Sequence, residues 1–164
     1  MTSVRIERRL DLPAPVLLDS VGYVLRAIGS QEGPWKDFSF RVALADVGFA
    51  DVGYIVVPIT LGAGPRSTEA NQYPVSVAAA RHPDSFPHFD GAVGVDTSGT
   101  SGSVLWIAGE YGVPANVVGA FVDSTLFRGV AQRSLENFAD DLVSACRAHV
   151  EKQEADYIRY HFVG

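Results

Sequence analysis

The chain has 164 residues, 47% of them hydrophobic and 20% charged, with a formal net charge of −6. That length suits one compact domain, and the apolar fraction is too high for a chain disordered throughout. The acidic balance argues against a nucleic-acid or anionic-membrane surface, which needs clustered Lys and Arg, and a lone cysteine, Cys146, excludes a disulfide framework or a Cys-rich zinc site.

The opening residues carry Arg5, Glu7, Arg8, Arg9 and Asp11, unlike a signal peptide. No run reaches the roughly 18 apolar residues of a membrane span. A soluble, cytoplasmic protein is therefore expected, with no membrane insertion. Arginine outnumbers lysine eleven to two, a bias pointing to a GC-rich bacterial genome and silent about function.

Val4 to Leu12 alternates as a strand, with Val4, Ile6, Leu10 and Leu12 on one face. Pro13-Ala14-Pro15 ends it and suits the first turn of a helix, where a missing N–H costs nothing. Leu17, Val21, Val24, Leu25 and Ile28 then recur at helical spacing, and Gly29 is placed as the residue after the helix.

From Phe38 the period becomes two. A turn near Gly48-Phe49 sets Phe40 opposite Val57 and Val42 opposite Ile55, which keeps one face apolar. Pro58 in the returning strand predicts an edge or a bulge. Residues 62–72 read as a loop, and Tyr73–Arg81, Phe89–Val95 and Ser103–Tyr111 as three further strands. Five short-looped strands in succession predict an antiparallel meander.

After Pro114 the period changes to 3.6, predicting a long amphipathic helix over about 130–153. Before it, Gly119 and Gly129 each cost a helix interior about 1 kcal/mol, so that first part is expected to bend or begin as irregular turns. The residues Tyr157 to Val163 alternate again and predict a short strand able to add to a sheet edge, within the chain or across a homodimer. The domain is thus expected over residues 1–154, with 155–164 as a tail.

The order of elements resembles the helix-grip fold of the START-like superfamily, which includes polyketide cyclase/dehydrase-like and Bet v 1-type proteins. The resemblance is carried by Arg5 to Val16, a strand running into a Pro-Ala-led helix. It is also carried by Trp106 to Leu142, with Glu110-Tyr111, Pro114, Val118-Gly119 and Leu135-Glu136-Asn137-Phe138. It implies an α+β fold, a curved antiparallel sheet around a long C-terminal helix. It also implies a hydrophobic ligand (lipid, polyketide or aromatic) bound between them. Some members of that superfamily are cyclases or aromatases, so an enzyme of that kind stays open, as does an interaction module with a filled core.

The candidate ligand-lining residues are Phe40, Val42, Ile55, Val57, Phe89, Val93, Trp106 and Glu110 from the sheet, and Phe121, Leu126 and Phe138 from the helix. Glu110 shares a face with Trp106. If that face is inward, a buried carboxylate could act as an acid or base; if the Leu105–Ile107 face is inward, Tyr111 takes its place. Neither amounts to a catalytic signature, and no cofactor or metal is called for. His82 and His88 flank a Pro-rich turn with Asp84 and Asp90, yet the four histidines lack ligand spacing. Cys146 falls on the apolar side of the helix as an inert thiol.

Overall fold

The computed structural model describes residues 2–31, 39–43, 53–81, 88–112 and 124–162. Strand β1 (Thr2–Leu10) leads into helix α1 (Ala14–Gly29). Strands β2 (Ser39–Ala43), β3 (Tyr54–Ala63), β4 (Gln72–Ala79), β5 (His88–Ser98) and β6 (Gly102–Gly112) follow, then helix α2 (Ser124–Phe162). The strands form one curled sheet in the order β1-β6-β5-β4-β3-β2, every neighbouring pair antiparallel. The meander is therefore β2 to β6 in sequence order, and β1 closes against β6.

The β2–β3 register is the expected one, with Phe40 paired to Val57 and Val42 to Ile55. Pro58 is not on an edge strand. It sits where β3 changes partners: residues 54–58 pair with β2, and residues 59–63 pair with β4. A residue without an N–H is harmless at such a changeover, and its carbonyl still accepts from Ala80 N–H at 2.8 Å.

Helix α1 starts with proline in its first turn, and its apolar stripe of Leu17, Val21, Val24, Leu25 and Ile28 is buried. It packs on β3, β5, β6 and α2. Gly29 is the last helical residue and Ser30 caps the end, one position later than expected. Glycine suits this spot because a Cβ there would press on the Leu61 carbonyl at 3.1 Å.

Helix α2 lies across the concave face and touches both outer strands. Leu135, Phe138, Leu142, Ala145 and Cys146 are buried along one stripe. From β1, Arg8 Nε donates to Asp140 Oδ1 at 2.6 Å; toward β2, Asn137 Nδ2 donates to the Arg41 carbonyl at 2.7 Å. Phe138 meets Phe40 edge to face, centroids 6.0 Å apart.

The helix is longer than the sequence predicted. Residues 157–162, read as strand, continue α2 instead, where Tyr157 and His161 stack one turn apart with centroids 4.2 Å apart. The expected turns at 44–52 and 82–87 lie outside the described residues, as does Gly119.

Sheet curvature has a local cause between β5 and β6. Gly91 and Gly109 pair directly, and the Phe89 ring lies over both. A Cβ on Gly109 would come within 2.6 Å of Gly91 Cα and would also collide with the Asp90 carbonyl, so the strands approach where no side chain intervenes. Gly109→Ala should accordingly lower stability by more than about 2 kcal/mol. Gly129→Ala, in a helix with nothing near the added methyl, should raise it by up to about 1 kcal/mol. Urea unfolding of the two variants tests both signs.

At the helix–sheet contact, Phe138→Ala should cost about 3–5 kcal/mol by emptying a buried ring site. Asp140→Ala, at the rim of the same contact, should cost about 1 kcal/mol or less, because its ion pair is solvated. Equal losses for the two would overturn this ranking.

Candidate functional site

Cross-strand partners share a face of the sheet, so β1 decides which face of β6 is inward. Ile6 pairs with Ile107, and both are buried; Glu7 pairs with Trp106, and Arg5 with Ala108. The face carrying Arg5, Glu7 and Trp106 is therefore the outer one. Leu105, Ile107 and Tyr111 point inward, all buried.

This corrects two expectations. Glu110 is exposed on the outer face, opposite Asp90 of β5. Trp106 lies on that face too, with the Arg5 guanidinium 5.1 Å from its ring centre and no room for a Cβ on Gly94 beside it. Its indole nitrogen is buried with no hydrogen-bond partner among the described residues.

The inner face gathers Phe40, Val57, Phe89, Val93, Tyr111 and, from α2, Phe138. Val93, Phe89 and Phe138 are closed to solvent and pack as core. Phe40 and Val57 are only half-buried. Phe121 lies outside the described residues, as do the side chains of Val42, Ile55 and Leu126.

Tyr111 is one of the polar residues of this surface, as is Tyr73, the cross-strand partner of Val93. Tyr111 is 5% exposed, pairs across the sheet with Phe89, and borders a cleft of ≈ 160 Å³. Thr2, Ser3, Val4 and Arg5 form one wall of that cleft, and Ala131 and Gln132 of α2 the other. Val4 was read as an apolar strand residue and not as a cleft residue, and Ala131 and Gln132 escaped the sequence reading. Their signal was present: Val4 has the parity of Ile6, and Ala131 precedes Leu135 and Phe138 at i, i+4 and i+7.

Burial drives the Tyr111 phenol well above its ordinary pKa, so at neutral pH it is a hydroxyl able to donate one hydrogen bond. The concave side also buries Ser134. Among the described residues no group of three His, Cys, Asp or Glu side chains converges for a metal. His88 lies 3.8 Å from Asp90 on the outside, and His82 and Asp84 are outside the described residues. Cys146 is fully buried, its thiol pushed up to about 12 by desolvation.

Solved structures share this architecture. The chain is similar to TTHA0849 from Thermus thermophilus (TM-score 0.55, 14% identity, covering 90% of this chain and 99% of that one). It is similar also to Ara h 8.0201 (TM-score 0.52, 9% identity, 92% and 98% covered). The chain has the helix-grip fold. The aromatase/cyclase Zhui from Streptomyces sp. R1128 aligns over 99% of this chain and 98% of its own, at a TM-score of 0.46 and 14% identity. No family model matches the sequence, and no curated relative matches it at a significant level. No helix among the described residues is long and apolar enough to cross a membrane.

A titration follows from the two buried acids. Both folded pKa values are raised, so the stability of the neutral forms is complete below the unfolded values, about 8.5 for the thiol and 10 for the phenol. It is lost as pH rises through the higher folded values. The unfolding free energy in urea should fall above about pH 9, and Tyr111→Phe should flatten the part that begins above about pH 10. An unchanged profile in the variant would show that Tyr111 ionises freely.

Proposed function

We propose that this protein binds a hydrophobic small molecule between the sheet and α2, with the ligand's polar end at Tyr111. The observation that carries the reading is the cleft between β1 and α2. Val4, Ala131 and Tyr111 line it together with the polar residues Thr2, Ser3, Arg5 and Gln132. Pockets that combine apolar walls with a few polar groups take ligands with a hydrocarbon body and an oriented polar end. The neutral phenol favours a ligand with a hydrogen-bond acceptor, such as a carbonyl or hydroxyl oxygen, over a cation.

The catalytic alternative needs an acid or base facing such a ligand. Glu110 is on the outside, which leaves Tyr111 as a proton donor without a carboxylate beside it among the described residues. Binding without chemistry is the better-supported reading.

Native mass spectrometry of gently purified protein should show an adduct of a few hundred daltons. An anionic naphthalene dye should bind saturably and be displaced by a fatty acid, a sterol or an aromatic ketone from a panel. Gln132→Trp, which fills the cleft from its exposed wall, should weaken binding at least tenfold while the melting temperature stays within a few degrees. A bare-chain mass with no saturable probe overturns the proposal.

A further inference from the structure

The polar groups around the cleft between β1 and α2 differ in what they can offer a ligand. Tyr111 is 5% exposed, and its hydroxyl makes no hydrogen bond to another described residue. An occupant that brings no acceptor shuts this hydroxyl off from solvent and leaves its proton unpaired, which is costly.

Gln132, on the opposite wall, has the complementary need. Its Nε2 donates to Glu136 Oε1 at 3.1 Å, and Arg133 Nη1 donates to Glu136 Oε2 at 3.2 Å. A carboxylate accepts only, so the nitrogen end of the amide is the one committed along α2. Glu136 is not among the described residues that border the cleft. The carbonyl oxygen is the end of Gln132 left for a ligand, and it pairs only with an N–H or O–H. The hydroxyls of Thr2 and Ser3 rotate to donate or accept, so they do not discriminate.

Arg5 is the one cation among the described lining residues, and it is engaged elsewhere. Its Nε lies 2.8 Å from Glu7 Oε1, and its guanidinium sits 5.1 Å from the Trp106 ring centre on the outer face. An ionised group brought into the cleft would lose solvent without gaining a counter-charge.

We infer that the cleft selects an uncharged head group with a donor beside an acceptor, as in a primary amide, a lactam or an α-hydroxyketone. Tyr111 donates to its acceptor, and Gln132 Oε1 accepts from its donor. This rests on the ligand-binding reading and narrows it to a ligand class, with Gln132 as the residue that sets specificity. A cavity of about 150 Å³ holds benzene, so the ≈ 160 Å³ cleft suits a head group the size of a single ring.

Benzamide, acetophenone and ethylbenzene share a ring and carry, in turn, donor and acceptor, acceptor alone, and neither. Each is titrated into the ¹⁵N-labelled full chain, with the amide signal of Ala131 followed by NMR. Gln132→Leu should lower the affinity for benzamide relative to acetophenone at least threefold. Tyr111→Phe should lower the affinity for acetophenone relative to ethylbenzene at least threefold. Gln132 is exposed, so melting of its variant should match the parent. Benzoate, the same ring with a charge, should bind more weakly than benzamide. Unchanged ratios in the Gln132 variant overturn the inference and leave the ligand-binding reading standing, as does benzoate binding more tightly than benzamide. A chain that gives no saturable shift with any of the four compounds removes both.

Discussion

One constraint organises this molecule: a single helix must rest against both ends of one curled sheet. Phe138 and Phe40 supply the apolar contact on the β2 side, while Arg8 and Asp140 tie the β1 side. The energetic weight lies with the buried rings, since an exposed ion pair is worth at most about 1 kcal/mol. The polar ties set direction and register along the helix. Everything inside the sheet follows from this placement, including the position of Tyr111 next to Ala131 and the small cleft that separates them.

The sheet can curl enough to be spanned because it lacks bulk where it bends. The Gly91–Gly109 pair lets β5 and β6 approach closely, and Phe89 fills the space that two side chains would have taken. An aromatic ring laid over a glycine pair recovers buried area without thickening the strands. Phe89 thereby serves the fold. Its neighbour across the ladder, Tyr111, is the residue that borders the cleft.

The β2–β3 register was legible in the sequence because the alternation of Phe40 and Val42 with polar neighbours leaves one apolar face, and a one-residue slip would invert it. The face of β6 was not legible. Leu105 and Ile107 compete with Val104 and Trp106, and apolar content alone does not separate them. The answer lay in a distant strand: pairing with β1 puts Arg5 and Glu7 beside Trp106, and two charges settle what the aromatic could not. The end of α2 misled for a different reason. Seven residues alternating in polarity fit a strand, but a helix already running through Val150 adds each further hydrogen bond without paying for a new nucleus. The cleft was half visible, through Tyr111, and half hidden, since no local pattern announces that Val4 and Ala131 face each other across a gap.

The outer strands of an open sheet present unpaired backbone groups that invite pairing with other chains. Here the spanning helix also guards those margins. Asn137 occupies the carbonyl of Arg41 on β2, and on β1 the arginine at position 8 turns a charge toward the helix. A neighbouring strand that tried to extend the sheet at β2 would have to displace the amide, and at β1 it would meet a guanidinium. The helix that holds the interior closed thus also covers part of the sheet's open margins, and a variant that loosens it should bare unpaired strand edge along with the core.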